Sequence, residues 1–244
     1  MIPAIDVEHV CFSYPSFSLD DVSMQLFPGE LKALVGLNGS GKTTLMKLIL
    51  GLLEPSKGEI RVFDQILRRE SLWAIRQDLG FLFQNPNDQL FAPTVWEDVA
   101  FGPRNQGLSE EEIHERVRWA LDTMDIPLLE EKPVNQLSYG QAKRVALAGI
   151  LAMRPKVLLL DEPFTGLDFP TVLGLVDILQ ALRKERISVF YTTHDRFFVE
   201  NWAESVMVLR SGRVVFDGRP DEAMNREDLR QEIGNWEQLK RRIE

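Results

Sequence analysis

The segment that most constrains the fold is a glycine-rich loop set between two apolar stretches. Residues 36–43 fit the pattern G-x-x-x-x-G-K-[ST] at every position. A short run, 32–35, in which three of four residues are apolar, leads into the loop, and residues 43–50 follow it without a helix breaker until Gly51. This pattern binds phosphate when a buried strand precedes it and a helix follows. The sequence therefore predicts a strand–loop–helix unit with an anion site at the start of the helix.

The residue types of this loop suit a nucleoside triphosphate, and ATP with Mg²⁺ is the expected ligand. Glycines let backbone N–H groups close around phosphate oxygens, because no Cβ stands in the way. Lys42 can reach the β- and γ-phosphates, and the Thr43 hydroxyl can ligate Mg²⁺. A chance match is the alternative, and the flanking strand and helix argue against it. The predicted nucleotide-binding residues of the loop are Gly36, Asn38, Gly39, Ser40, Gly41, Lys42, Thr43 and Thr44.

Outside the loop, short apolar runs alternate with helical patterns, which argues for an α/β fold with a parallel sheet. The continuous apolar run 157–160 is typical of a strand covered on both faces. Residues 85–108 contain three prolines and are expected to form a long, mostly irregular insertion. Further strands are predicted at 5–10, 22–26, 58–63, 80–83, 188–192, 206–209 and 214–216. Helices are predicted at 109–124 after a Ser109–Glu112 capping box, from the turn at 137–140 to about Met153, and at 171–183.

Composition limits the class of partner and the compartment. The net charge is −9 without a basic stripe, which argues against nucleic acid and against purely electrostatic binding to anionic lipid. Cys11 is the single cysteine, so a reducing compartment is expected. The N-terminus lacks the pattern of a signal peptide, and the most apolar stretch, 145–153, is too short to span a bilayer. We expect a cytosolic protein unless another chain holds it at a membrane.

Two carboxylates follow the buried run 157–160. Asp161 and Glu162 stand at the end of that strand, which is where α/β sheets place their ligands. Asp161 can hold Mg²⁺ directly or through water, and Glu162 can orient or deprotonate an attacking water. The alternative is a solvated acidic pair at a strand end. The position of this carboxylate pair downstream of a phosphate loop favours the catalytic interpretation.

A third motif, Leu137-Ser138-Tyr139-Gly140-Gln141, resembles the LSGGQ signature of the nucleotide-binding subunits of ABC transporters. The turn opens a helix, so it is a second predicted anion site. The resemblance implies that Ser138, Gly140 and Gln141 face the γ-phosphate bound by a partner subunit. The alternative is an ordinary helix with Ser138 as its N-cap. Tyr139 departs from the family pattern, which has Gly there, and its effect on the closed dimer is open.

The resemblance then extends along most of the chain. Gln84 matches the Q-loop glutamine, which contacts Mg²⁺ and the attacking water and senses the membrane partner. Asp168 matches the D-loop, which crosses the dimer interface, and His194 matches the switch histidine, which bonds the γ-phosphate. Tyr14 matches the aromatic residue that stacks on adenine. The alternatives are a structural histidine after a strand and a tyrosine in a strand core.

Residues 83–95 and 97–103 resemble the ATPases of energy-coupling factor importers, closest to the cobalt and nickel branch. The resemblance implies two ATPases, the same or different, with a membrane scaffold and a small substrate-capturing membrane protein. Apolar residues of this segment are expected either to dock a coupling helix of the scaffold or to pack within the helical subdomain. They are Leu90, Phe91, Val95 and Trp96.

The cargo stays open between metal ions and vitamins. His9, His114, His194 and Cys11 are scattered along the sequence, so a transported metal is not expected to bind to this chain. Soluble relatives act in DNA repair, ribosome control or iron–sulfur cluster assembly. The DNA-repair relatives have a long coiled coil, and the ribosome-acting relatives usually have two cassettes in one chain. Neither feature is found in this sequence. The insertion argues against the third.

The resemblance implies a P-loop NTPase fold of the ABC ATPase type, with a parallel-sheet core, an antiparallel β subdomain and an inserted helical subdomain. One domain is expected over residues 1–244. Within it the core and β subdomain take about 1–84 and 155–225, the helical subdomain about 85–154, and a helical tail about 226–244. We expect a peripheral protein at the cytoplasmic face of the cell membrane, whose hydrolysis of ATP depends on dimerisation.

Overall fold

Strands and helices alternate along the chain in the computed structural model, which describes residues 1–234. The strands are β1 (Ile5–Tyr14), β2 (Phe17–Leu26), β3 (Leu31–Val35), β4 (Lys57–Val62), β5 (Gln65–Ile66), β6 (Leu79–Leu82), β7 (Val157–Leu160), β8 (Ser188–Thr192), β9 (Ser205–Arg210) and β10 (Arg213–Gly218). The helices are α1 (Lys42–Ile49), α2 (Leu72–Asp78), α3 (Val95–Asn105), α4 (Glu110–Thr123), α5 (Tyr139–Ala152), α6 (Phe169–Lys184), α7 (Arg196–Asn201), α8 (Pro220–Asn225) and α9 (Arg230–Ile233). No helix within the described part of the chain is long and apolar enough to cross a membrane.

The chain divides into two units, residues 1–75 with 188–234, and residues 76–187. In the first unit, β2, β1, β4 and β5 pair in that order as an antiparallel sheet. A second set of strands runs in the order β10, β9, β3, β8, with β3 parallel to both β8 and β9 and a β9–β10 hairpin at one side. All five residues of β3 are buried. The predicted parallel sheet and the antiparallel β region are therefore confirmed.

The helix after the phosphate loop ends where the sequence predicts. Gly51 has a φ of 63°, and its N–H donates to the Leu48 carbonyl at 2.9 Å. The N–H of Leu52 donates to the Lys47 carbonyl, also at 2.9 Å. This pair of bonds is the Schellman motif, in which a glycine in the left-handed region closes the last turn.

In the second unit, β6 and β7 pair in parallel, and α5 packs against α3 and α4. A Cβ at Gly80 would lie 2.2 Å from Ile150 Cγ2, so a glycine lets β6 pass close to α5. The predicted capping box at α4 is present, since Ser109 and Glu112 each accept the other's backbone N–H. The apolar stripe predicted for α4 is buried as expected; it comprises Ile113, Val117, Ala120, Leu121 and Met124.

The expectation that residues 85–108 are mostly irregular is wrong, because a 3₁₀ turn occupies three of them and α3 eleven, which is more than half of the segment. A second capping box starts this helix, with Thr94 and Glu97 accepting each other's backbone N–H at 3.3 Å. Pro103 lies inside the helix, where its ring leaves one backbone hydrogen bond unmade. Gly102 allows a close approach, since a Cβ there would lie 2.5 Å from Met153 Cγ. Two residues that usually break helices are thus accommodated by a strong start and tight packing.

The start of the predicted helical tail is described, and it is short. A 3₁₀ turn at Glu227–Leu229 leads into α9, whose Glu232 is buried and pairs with Arg210 of β9 at 2.6 Å. Residues 235–244, the rest of the predicted tail helix, lie outside the described residues.

Candidate active site

The phosphate loop has a backbone path that requires glycine. Gly36 follows β3 with a φ of 155°, and a Cβ there would lie 2.3 Å from the Leu209 carbonyl oxygen. Gly41 has a φ of 109°, and its Cβ would lie 2.6 Å from side-chain carbons of Leu19 and Phe17. The loop is therefore pressed against its own unit on one side, which holds its backbone in a fixed curve.

Two polar side chains of the loop fit an anion. Ser40 Oγ is buried and has no hydrogen-bond partner among the described residues, so it is a donor suited to an incoming oxygen. Lys42 is 8% exposed, and its Nζ donates to the carbonyls of Gly36 at 2.8 Å and Leu37 at 3.3 Å. These bonds hold the ammonium against the loop backbone. The first turn of α1 carries no acidic residue, so the positive end of the helix is not neutralised there.

The other predicted nucleotide-binding residues lie on the same loop and helix. Asn38 and Gly39 are exposed at the tip of the loop. Thr43 and Thr44 lie in the first turn of α1, with Thr43 exposed. The hydroxyl predicted to ligate Mg²⁺ therefore belongs to an accessible residue.

Tyr14 ends β1 and is 41% exposed, so it is not a residue of a strand core. Its ring meets the edge of Phe12, with centroids 4.8 Å apart. An open pocket of about 540 Å³ is lined by Tyr14, by neighbouring residues of the β1–β2 turn, and by Gly39 and Ser211. The structure thus brings this aromatic ring and the tip of the phosphate loop to one pocket.

His194 lies in the turn between β8 and α7 and is exposed. Hydrogen bonds of the flanking residues fix this turn. The N–H of Asp195 donates to Thr193 Oγ1 at 3.0 Å, and the Asp195 carboxylate accepts from the N–H of Phe197 at 2.8 Å. The imidazole therefore stands on a defined backbone. It belongs to the same unit as the phosphate loop.

In the second unit, both carboxylates predicted at the end of β7 are buried, with Asp161 5% and Glu162 6% exposed. The N–H of Asp161 donates to the Leu82 carbonyl at 3.0 Å, which extends the pairing of β7 with β6. Glu162 has a φ of 51°, an uncommon left-handed conformation for a residue with a side chain. Its Oε2 accepts a hydrogen bond from Thr165 Oγ1 at 3.0 Å. The interpretation as a solvated acidic pair does not fit this burial.

Lys143, which supports this turn, is not among the residues predicted from the sequence. Lys143 is 1% exposed, and its Nζ donates to the carbonyls of Glu162 at 2.8 Å and Thr165 at 3.0 Å. Burial lowers the pKa of Lys143 to about 8, and the carboxylates of Glu162 and Asp161 oppose that shift. The sequence contains one indication of this role. Lys143 lies four positions before the buried Leu147, so a charged residue occurs on the apolar stripe of the helix.

The predicted second anion site is the N-terminus of α5. Ser138 is its N-cap and forms a capping box with Gln141, at 3.3 Å and 3.1 Å. The capping residues are uncharged and the first turn carries no acidic residue. The positive end of this helix can therefore still attract an anion. Tyr139 is the first residue of α5 with helical backbone, so the position has no need of glycine's freedom.

Two more predicted residues lie in the second unit. Gln84 follows β6 and is exposed. Asp168 is the N-cap of α6 and accepts the N–H of Thr171 at 3.1 Å; hydrogen bonds with Thr171 hold the pKa of Asp168 below the usual range of a carboxyl. A pocket of about 620 Å³ brings Asp168 together with the signature residues Ser138, Gly140 and Gln141.

Comparison with known proteins gives a consistent result. Residues 19–165 match the family model described as ABC transporter. The chain is 42% identical over 229 residues to the energy-coupling factor transporter ATP-binding protein EcfA of Methanothermobacter thermautotrophicus, covering 92% of this chain and 74% of the relative. It is 40% identical over 230 residues to the EcfA of Carboxydothermus hydrogenoformans, covering 93% of this chain and 85% of that protein.

A solved structure agrees. The structure of cbiO1 from Clostridium perfringens, described as part of the ABC transporter complex cbiONQ, superposes with a TM-score of 0.83 at 38% identity. The match covers 94% of this chain and 93% of cbiO1. The chain therefore belongs to the ABC transporter family and, within it, to the energy-coupling factor transporter ATP-binding proteins.

Proposed function

We propose that this ABC ATPase hydrolyses ATP with Mg²⁺ to power an energy-coupling factor importer for cobalt or nickel ions. The observation that carries the ATP site is the phosphate loop. It presents the buried Ser40 hydroxyl, the Lys42 ammonium and an uncompensated helix N-terminus to one anion. A vitamin importer of the same class is the alternative for the cargo.

Phosphoryl transfer to water needs positioning and charge neutralisation more than covalent chemistry. Lys42 neutralises charge on the β- and γ-phosphates, and Tyr14 stacks on adenine. Thr43, Gln84 and Asp161 are all oxygen donors, the ligand type that Mg²⁺ prefers. The ion would neutralise negative charge on the phosphate oxygens. Glu162 orients or deprotonates the attacking water, and His194 bonds the γ-phosphate.

A second ATPase subunit, identical or different, completes the site. The N-terminus of α5, with Ser138, Gly140 and Gln141, would receive the γ-phosphate bound by that subunit. Asp168 belongs to the same 620 Å³ pocket and would lie at the dimer interface. The pocket's position at an uncompensated helix end supports an anionic ligand there.

An exposed aromatic pair supports docking of a transmembrane scaffold. Phe91 is 63% and Phe101 47% exposed, and their rings meet edge to face with centroids 4.7 Å apart. The buried Asp98 carboxylate of α3 accepts the N–H groups of Phe91 and Ala92, each at 2.9 Å, and so fixes the loop of Phe91 to the helix that carries Phe101. Val95 is fully buried and belongs to the packing of this unit. Docking there would hold the chain at the cytoplasmic face of the membrane.

The catalytic assignment is tested by Glu162→Gln, which keeps the size of the side chain and removes the carboxylate. We expect the variant to bind ATP and to lose hydrolysis by a factor of about 10² or more, since general bases contribute factors of this order. Light scattering with size exclusion should show an ATP-bound dimer that persists. Glu185→Gln, an exposed carboxylate at the end of α6, is the matched control. Wild-type turnover in Glu162→Gln would remove Glu162 from its role.

The transport assignment is tested in membranes and cells. A tagged chain isolated from detergent-solubilised native membranes should retain integral membrane proteins, identified by mass spectrometry. Loss of the chain should lower accumulation of cobalt or nickel. Lowered uptake of a vitamin instead would favour the alternative cargo, and a chain that brings down no membrane protein would contradict the importer.

A further inference from the structure

Two residues of α5, one turn apart, contact two loops of their own unit, the loop after β6 and the loop between β7 and α6. Tyr139 stands where the family signature has glycine, and its hydroxyl donates to the Gln84 carbonyl at 3.0 Å. The same ring lies over the loop that contains Gly166, where a Cβ would come 2.8 Å from Tyr139 Cε1. The tyrosine thus links the loop after β6 to the loop before α6.

Lys143 lies one helical turn further on, on the same face of α5. Its Nζ is 5.5 Å from the centroid of the Tyr139 ring, within the range of a cation–π contact. The same ammonium donates to the carbonyls of Glu162 and Thr165. A buried ammonium is costly unless it is hydrogen-bonded, so these two carbonyls are held at fixed positions relative to the helix.

The turn that Lys143 holds is the one that carries the candidate catalytic base. Glu162 has its left-handed φ of 51°, which persists only where the surroundings impose it. Lys143 binds the carbonyl of Glu162 itself, and Thr165, whose carbonyl Lys143 also binds, donates from its hydroxyl to the Glu162 carboxylate. The helix therefore constrains both the backbone and the side chain of Glu162.

We propose that Tyr139 and Lys143 form a brace by which α5 positions Glu162 and the main chain of Gln84 for hydrolysis. The brace rests on the proposed function, because it assigns positioning residues to that reaction. It also connects the two sites of a dimer. The N-terminus of α5 would bind the partner subunit's nucleotide, and the first two turns of the same helix hold the chain's own catalytic turn.

The test measures kcat and nucleotide affinity separately in the purified full chain. Lys143→Met keeps an unbranched apolar stem and removes the ammonium. We expect its kcat to fall at least about tenfold, while its Kd for a fluorescent ATP analogue stays within about twofold, because the phosphate loop lies in the other unit. Tyr139→Phe keeps the ring and loses only the bond to Gln84, so its kcat should fall by a smaller factor. Lys184→Met, an exposed lysine at the end of α6, is the matched control and should keep wild-type kcat.

We also expect Lys143→Met and Tyr139→Phe to lose cooperativity, with a Hill coefficient for ATP closer to one than in the wild type. If Lys143→Met does not fold, as judged by circular dichroism, Tyr139→Phe decides, since Tyr139 is 38% exposed and its change removes one hydroxyl. Wild-type kcat in the folded variants would overturn the brace, as would a parallel loss of kcat and nucleotide affinity. A wild-type chain that hydrolyses no ATP, either alone or in the complex isolated from native membranes with its partner subunits, would overturn the proposed function itself.

Discussion

Gly36 and Gly39 both have positive φ angles, 155° and 79°, but their surroundings differ. A Cβ at Gly36 would collide with the Leu209 carbonyl at 2.3 Å, whereas a Cβ at Gly39 would meet nothing within 4 Å. Comparison of Gly36→Ala with Gly39→Ala therefore separates steric collision from conformational preference. At the scale of single residues, this pair tests why the loop needs glycine.

We expect Gly36→Ala to lower the free energy of unfolding by about 1–3 kcal/mol more than Gly39→Ala, the usual range for overpacking. ATP affinity should fall in Gly36→Ala, because Ser40 Oγ lies 2.6 Å from the added Cβ and must move. Urea denaturation and nucleotide titration of both variants check this. Equal losses in the two variants would show that the collision is relieved by a shift of the backbone.

Lys143 predicts a dependence of stability on pH. Its pKa is about 8 in the folded chain and about 10.4 in an unfolded one, so the unfolded state binds more protons between these values. Protonation of the buried lysine costs stability at pH values below 8, and that cost is relieved as the pH rises towards 10. We expect the wild type to gain up to about 1.4 kcal/mol per pH unit relative to Lys143→Met in this window. Urea denaturation of both proteins at pH 7, 8.5 and 9.5 measures it. A constant difference would contradict the shifted pKa.

Single residues can be singled out from the sequence where the local pattern defines the chemistry. The loop 36–43 and the pair Asp161–Glu162 are predicted from the sequence because their residue types and spacing are those expected for phosphate and metal binding. Lys143 and Asp98 are not, because their partners are backbone groups: Lys143 bonds carbonyls about twenty residues away, and Asp98 bonds two N–H groups of a loop. Backbone groups are present at every residue, so no pattern of residue types marks them as partners.

At the scale of elements, α3 shows how a strong helix start outweighs later breakers. The three prolines of residues 85–108, Pro103 among them, lead to a prediction without this helix, although Thr94 and Glu97 form a capping box of the kind that correctly predicts α4. The packing that tolerates Gly102 comes from Met153, more than 50 positions later, so the local sequence does not contain it. By contrast, strands such as β3 and β7 are predicted well because uniform burial demands uniform apolarity.

Thr94→Ala tests the cap of α3. The variant loses the acceptor for the Glu97 N–H, and we expect the free energy of unfolding to fall by about 1 kcal/mol. Urea denaturation measures the loss, and Ser16→Ala, in an exposed turn of the other unit, should change stability by no more than about 0.5 kcal/mol. Wild-type stability of Thr94→Ala would mean that packing alone holds the start of the helix.

At the scale of the whole molecule, the predicted functions are distributed over two units. The phosphate loop, Tyr14 and His194 belong to the first unit, and the candidate catalytic carboxylates, Gln84 and the signature residues belong to the second. The class of ATPase follows from the order of these motifs along the chain. The proposed membrane partner is a separate chain, so we infer its docking surface from exposed apolar residues.

Phe91 and Phe101 give that surface a direct test. The double substitution Phe91→Ser with Phe101→Ser removes the exposed aromatic pair, and each buried phenylalanine contributes about 1.5–3 kcal/mol to an interface. We expect the amount of integral membrane protein retained on the tagged chain to fall at least about tenfold, since 1.4 kcal/mol is a factor of ten in affinity. The ATPase activity of the purified chain should not change, because neither ring belongs to the nucleotide machinery.

Trp73→Ser is the matched control. Trp73 lies on α2 and is 68% exposed, so the substitution replaces a large exposed ring by the same small residue. It should retain membrane proteins at the wild-type amount. If the double variant retains them as well, the scaffold docks elsewhere and the aromatic pair has another partner. If Trp73→Ser loses them too, exposed rings bind membrane proteins non-specifically, and the pair of Phe91 and Phe101 is not a specific docking surface.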